Sequence, residues 1–204
     1  MYIAIEGLIG IGKSSLQNIL LHHYHGEELV QDFASHHYLE KYYSNIPHFA
    51  RETMLIFLFM ADHQVRNLND NCKLIIADFV PEKCEAFSRL VLPAQEFSQL
   101  YKVNHDYLLS RTPKPDVLIW LQGTPQLALE RIKQRNRSME QNMPISYLQQ
   151  LEQSYQQTFH AYKGAPMLKV NIAERDFLYN PTDVDQLLQE LESLLPRLRS
   201  FRKA

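Results

Sequence analysis

The residues with the clearest chemistry are "GLIGIGKSS", Gly7 to Ser15. The run fits G-x-x-x-x-G-K-[ST], a loop whose glycines let backbone N–H groups point at phosphate oxygens. Gly7, Gly10 and Gly12 supply the turns, with Leu8, Ile9 and Ile11 between them. Lys13 would bring positive charge to the β- and γ-phosphates, and the Ser14 hydroxyl would ligate Mg²⁺. Ser15 completes the run. Such a loop asks for a nucleoside triphosphate as donor and leaves the acceptor open.

Two further groups would complete a phosphoryl transfer. "KLIIAD" is an apolar run ending in the carboxylate of Asp78. There a carboxylate could orient an attacking hydroxyl or share the Mg²⁺. An ordinary carboxylate is a weak base at neutral pH, so most of the rate must then come from positioning and charge stabilisation. The plainer reading of Asp78 is a solvated turn or a helix cap. "ERIKQRNRSMEQ" sets Arg131 and Arg135 four residues apart on one helical face. Guanidinium groups there could close over the phosphates. Arg137 joins them only if the helix ends or bends nearby. The plainer reading is a solvated basic face paired with Glu130.

These residues need elements to hold them. "YIAIE" reads as a strand running into the glycine loop, and "KSSLQNILLHHYH" as the helix that follows, with Leu16, Ile19 and Leu20 on one face. "ELVQDF", residues 28–33, reads as a short strand, and "KLIIAD", "DVLIWLQ" and "MLKVN" as three more. Helices are expected around "YLEKYY" and over 48–69, 82–92, 95–110, 124–137 and 146–162. A terminal helix should start at Thr182 as its N-cap and stop at Pro196. Alternating strands and helices imply an α/β fold with a largely parallel sheet, whose ligands bind beyond the carboxyl ends of the strands.

Composition sets the outer bounds. At 204 residues, 45% hydrophobic and 22% charged, the chain suits one globular domain over 1–204. A net charge of −2 argues against broad binding to nucleic acid or a membrane surface. The two cysteines, Cys72 and Cys84, suit a reducing cytoplasm. No basic n-region precedes the first strand, and "MLIFLFMA" is too short to span a bilayer. The clustered histidines lack the carboxylates that would complete a metal site, and Tyr155 and Phe159 fit a core or dimer interface better than a stacking platform. The basic end, Arg197 to Lys203, reads as a frayed, solvated tail.

Taken together, the motifs resemble the deoxynucleoside kinases, which phosphorylate a deoxynucleoside 5′-hydroxyl with ATP. "IAIEGLIGIGKSSL" is similar to their first strand and loop, and "ERIKQRNRSMEQNMPISYLQQLEQSY" to their lid and the next helix. "HHYLEKYY" is similar to "NPFLEKFY", and "KPDVLIWLQGTPQLALERI" also fits. "ADFVPEKCEAFS" looks like a bacterial deoxyadenosine/deoxyguanosine kinase-like branch reading Ser-Asp-Tyr-x-x-x-Lys-Asp-x-x-Phe-Ala. The likeness runs to about residue 176. It implies a P-loop kinase fold with a five-stranded parallel sheet, an arginine-rich lid and a homodimer built on a helical bundle. Gly7 to Ser15 would bind ATP with Ser14 on Mg²⁺. Asp78 would activate the 5′-hydroxyl, Arg131, Arg135 and Arg137 would grip phosphates, Tyr43 would approach the sugar, and Asp176 would lie beside the adenine.

The departures from that resemblance fall on the acceptor side. Gln31 stands for a Glu that meets the sugar, Met54 for a Gln that reads the base, and Ala61 for a nearby Arg. Phe79 stands where many members have Arg, although the Asp-Tyr branch lacks it too. Cys84 stands for an Asp that pairs with the base-side Arg. Ala61 and Cys84 together remove both members of one charge pair, so no orphan charge is left in a more apolar pocket. The expected function is ATP- and Mg²⁺-dependent phosphorylation of a deoxynucleoside, with purines favoured. The alternatives are a nucleotide-binding relative that acts through a partner without catalysis, and a kinase for another hydroxyl acceptor such as a nucleoside monophosphate.

Overall fold

Two neighbouring parallel strands end side by side at the place where the sequence puts its chemistry. In the computed structural model, β1 (Tyr2–Gly7) pairs with β3 (Ile75–Ala77) from Tyr2 opposite Ile75 to Ala4 opposite Ala77. The glycine loop leaves the first strand and Asp78 follows the second. β4 (Val117–Gln122) flanks β1 on its other side, β5 (Met167–Asn171) lies beyond β4, and β2 (Glu27–Leu29) lies outside β3. The order is β2-β3-β1-β4-β5, with every pairing parallel. The structure describes residues 1–30, 37–68 and 73–203.

The central strands are apolar throughout because both faces are covered. Ile3, Ile5, Ile76, Val117, Leu118 and Ile119 are fully buried. Each such side chain contributes roughly 1.5–3 kcal/mol through burial. α1 (Lys13–His23) packs on β1, β2 and β3 through Leu16 and Leu20. Gln17, also buried, donates from Nε2 to Leu29 O at 3.1 Å and Ile76 O at 2.8 Å, and so ties α1 to two strand ends. α8 (Ile145–His160) sets Tyr155 and Phe159 against Trp120 of β4, with ring centroids 5.9 and 4.5 Å away. Both aromatic residues belong to the core.

The acceptor-side helices are α2 (His37–Ser44), α3 (Ile46–Arg66) and α4 (Lys83–Val91), with α3 packed on both of the others. α7 (Pro125–Arg135) packs on α8, which also packs on α4. α3 starts two residues before the expected His48, because Asn45 caps it by accepting from His48 N and Pro47 sits in its first turn.

Three other expectations need correction. The stretch expected as a helix over 95–110 is broken into α5 (Ala94–Glu96), a π turn at Phe97–Tyr101 and α6 (Lys102–Leu109). One wide turn shifts the helical face and leaves Tyr101 and His105 buried while Val103 and Tyr107 face outward. α9 (Pro181–Leu194) is capped by Asn180, whose side chain accepts from Thr182 N, and not by Thr182 itself. The basic end is not a frayed tail. Pro196–Phe201 form a 3₁₀ helix, and Glu192 receives Arg199 Nε at 3.3 Å, Arg202 Nε, and the Tyr24 hydroxyl at 3.1 Å. His25 N donates to Phe201 O at 2.7 Å, which fastens this end to the exit of α1.

Candidate active site

The glycine loop has the backbone that its sequence requires. Gly10 has φ 79° and Gly12 φ 113°, both left-handed. A Cβ on Gly10 would fall 2.6 Å from Ala128 O and 2.7 Å from Ile132 Cγ1. The loop is therefore packed against α7, the helix that carries the lid arginines. Lys13 Nζ donates to the carbonyls of Gly7 at 2.7 Å and Leu8 at 3.1 Å.

Beneath the loop lies Glu6, an ionisable residue at 0% exposure. Its Oε1 accepts from Gly7 N at 2.8 Å and the Tyr155 hydroxyl at 3.4 Å, and its Oε2 from Val80 N at 3.3 Å. Burial pushes its pKa up, while Lys83 and Lys13 pull it back. Lys13 is the mirror case. Burial lowers its ammonium to about 8, against the pull of Glu6 and Asp78. The Lys13–Glu6 distance is 3.9 Å.

Asp78 is reached directly from the loop. The Ser14 hydroxyl donates to its Oδ2 at 3.0 Å, and Asp78 N donates to Leu29 O. A hydroxyl and a carboxylate oxygen thus converge where the phosphates would end. Mg²⁺ is held through few protein oxygens, with waters and phosphates completing its shell, and this pair fits that demand. Among the described residues no cluster of three His, Cys, Asp or Glu forms an all-protein metal cage.

The lid closes the other side. α7 ends at Arg135 because Asn136 adopts φ 56°, a left-handed C-terminal cap. The chain turns back there, so Arg137 rejoins the arginines of α7. Arg131 Nη1 donates to Ile11 O in the loop, and Arg135 pairs with Glu140. Arg137 lies 3.7 Å from the same carboxylate, which is 4% exposed. Glu130, the partner expected of a solvated face, forms none of these contacts.

One cleft of about 1520 Å³ joins these parts. Its lining includes Ile9 to Ser15, Asp78, Arg131, Arg135, Arg137, Glu140 and Asp176. Its acceptor wall includes Tyr42, Tyr43, Met54, Phe57, Cys84 and Phe87. Tyr42 and Tyr147 share a hydroxyl–hydroxyl bond of 3.0 Å. Burial, with Tyr147 and Glu140 adding to it, holds the Tyr43 phenol far above its ordinary range. Cys84 is a buried free thiol pushed up to about 12 by burial.

Some expected site residues lie elsewhere. Ala61 and Phe79 are fully buried and do not line the cleft; Gly7 and Leu8 stand at its base through their carbonyls. Asp176 does line the cleft, and its Oδ1 accepts from Leu178 N at 3.0 Å and Tyr179 N at 3.1 Å, so its carboxylate also shapes the loop itself. Gln31 lies outside the described residues. Glu6, Glu140 and Lys83 were missed from sequence. A charge ending the apolar run "YIAIE" was the available signal for the first.

Comparison with known proteins bears on the family and the fold. The deoxynucleoside kinase family model matches residues 3–196. Deoxyguanosine kinase of Bacillus subtilis is 27% identical over 202 residues, covering 95% of this chain and 97% of that protein. Deoxyadenosine kinase of Lactobacillus acidophilus is 27% identical, covering 95% of each. Among solved structures, deoxyadenosine kinase from M. mycoides with bound dATP superposes at a TM-score of 0.81 with 22% identity, covering 94% of this chain and all of that one. At that identity the likeness speaks for the fold, a P-loop kinase fold with the sheet described above. By its motifs and by a family match over nearly its whole length, the chain belongs to the deoxynucleoside kinase family of phosphotransferases.

Proposed function

We propose that this chain transfers the γ-phosphoryl group of ATP to the 5′-hydroxyl of a deoxynucleoside, with Mg²⁺ and with purine deoxynucleosides favoured. The observation that carries the reading is the 3.0 Å contact between Ser14 and Asp78, which joins the donor loop to the acceptor-facing carboxylate. The purine preference is supported by relatives named deoxyguanosine and deoxyadenosine kinase.

In this mechanism the loop N–H groups and Lys13 bind the donor phosphates. Ser14 and Asp78 would hold Mg²⁺, which would supply charge neutralisation to the donor phosphates. Asp78 accepts the hydroxyl proton and aims the oxygen. Arg131 and Arg135 exchange Ile11 O and Glu140 for phosphate oxygens, with Arg137 beside them, and Glu140 is freed to face the sugar with Tyr43. Closure excludes water and strengthens each of these charge contacts. We also propose a cytoplasmic, one-domain enzyme that works as a homodimer; no helix among the described residues is long and apolar enough to cross a membrane.

A second reading, nucleotide binding without turnover, is favoured by the apolar acceptor wall at Met54, Phe57 and Cys84. Purified protein with ATP, Mg²⁺ and each deoxynucleoside separates the two. Monophosphate formed from a purine deoxynucleoside supports the kinase. Folded protein that binds ATP but yields no product from any of them supports the second reading.

A further inference from the structure

Lys83 lines the same cleft as Asp78 and the glycine loop. It begins α4, five residues after Asp78, and the next turns of α4 give Cys84 and Phe87 to the acceptor wall. Its position therefore lies between the carboxylate that would aim the hydroxyl and the wall that would hold the acceptor. Its ammonium sits 5.6 Å from the centroid of the Phe79 ring, a cation–π distance. That ring is fully buried. Val80 N, three residues earlier, is bonded to Glu6, so the backbone that presents Lys83 is tied to the carboxylate under the loop. The charges of Lys13 and Lys83 thus both act on one buried carboxylate.

We infer, on the kinase reading of this site, that Lys83 is a catalytic residue of the acceptor side, contacting the phosphoryl group as it reaches the 5′-oxygen and holding the new monophosphate. The step balances without another reactant. A lone pair on the 5′-oxygen forms the bond to the γ-phosphorus, and the bond from that phosphorus to the β,γ-bridging oxygen breaks with its electrons leaving on ADP. The hydroxyl proton passes to Asp78. Negative charge on the transferred group moves away from Lys13 and the lid toward the acceptor during this step. A cation waiting on the Asp78 side stabilises that later charge more than it stabilises bound ATP, and so it raises turnover.

The test compares wild type with Lys83→Met and Lys83→Arg. The expected result for Lys83→Met is a fall in kcat of at least tenfold, with KM for the nucleoside and Kd for ATP within about twofold of wild type. Lys83→Arg should recover part of the loss. A purely structural partner of Glu6 would instead lower melting temperature and ATP affinity along with kcat, and that pattern, or an unchanged kcat, overturns the inference. If wild type phosphorylates no deoxynucleoside, the kinase reading fails on its own. The role of Lys83 is then decided by calorimetry with a purine deoxynucleoside and its 5′-monophosphate. Wild type preferring the monophosphate, with the preference lost in Lys83→Met, supports it; equal preference in both proteins, or no binding of either ligand, overturns it.

Discussion

At the scale of single residues, Lys13 and Asp78 offer the sharpest tests. Burial holds the Lys13 ammonium at about 8 in the free protein. A bound triphosphate needs that ammonium charged, so binding above pH 8 must draw in a proton. Affinity for ATP should fall as pH rises from 8 toward 10, by up to about tenfold per unit, or 1.36 kcal/mol. Calorimetry in buffers of different ionisation enthalpy should show proton uptake approaching one per site at pH 9. Lys13→Arg, charged throughout, should bind with no such slope; equal uptake in both proteins would refute the assignment. Asp78→Asn keeps the size and the Ser14 contact but removes the negative charge and the proton acceptor. Turnover should drop by about 10²–10⁴-fold, the usual size of general-base assistance, with ATP binding nearly intact in the absence of Mg²⁺. A rate within threefold of wild type would move the catalytic task to another group.

At the scale of elements, the structure depends on joints that tie helices to loops. Gly10 is one: its left-handed φ and the nearby Ala128 carbonyl leave no room for a methyl group. Gly10→Ala should separate the loop from α7, weaken ATP binding at least tenfold and lower stability by about 1–3 kcal/mol through strain. Equilibrium unfolding and nucleotide titration measure both, and an unaltered ATP affinity would show that the loop tolerates the shift. Glu192 is the other joint. Burial acts to raise its pKa, but the bonds from Arg202, Tyr24 and Arg199 bring it below the ordinary value. Its contribution is therefore complete above the ordinary carboxylate pKa and is lost as pH falls through the depressed value. Glu192→Ala should cost about 1–3 kcal/mol at pH 7 and progressively less in acid. An equal loss at pH 3 and pH 7 would rule out the carboxylate as the cause. These joints also show what was legible in the sequence. The loop, Asp78 and the paired arginines could be read because their spacing is local and their chemistry is carried by residue type. The Asn136 cap could have been read, since Asn after a basic helix end is a stop signal. The Glu192 clasp could not, because Tyr24 reaches it only when elements far apart in sequence meet. Glu140 and Lys83 lie close in sequence to Arg135 and Phe79, but residue type alone does not say which neighbour each would face.

For the whole molecule, the parallel sheet follows from the alternation of strands and helices, while the proposed assembly would have to use the outside. Large apolar side chains are exposed on α3 and α6: Phe59 of α3 at 49% exposure, Val103 at 61% and Tyr107 at 57% of α6, with Leu100 at 38% in the π turn before it. α3 and α6 pack on each other, so these side chains belong to one helical layer. If these side chains form one surface, leaving it in water is costly, and such a patch is typical of an interface. A stable pair of chains needs about 1,200–2,000 Å² of total buried surface, which two such helices from each copy can supply. The wide turn at Phe97–Tyr101 sets this face: it turns Tyr101 into the core while Val103 and Tyr107 remain outside. The same α3 carries Met54 to the cleft, so the proposed dimer would brace the acceptor wall from behind. Sedimentation of the wild-type chain at micromolar concentration should give the mass of two chains. Val103→Glu together with Phe59→Glu should give a folded monomer with the same circular dichroism, a raised acceptor KM and an unchanged ATP affinity. A wild-type monomer, or a double variant that stays paired, would place the interface elsewhere or remove it, while an unchanged KM in a true monomer would separate assembly from acceptor binding.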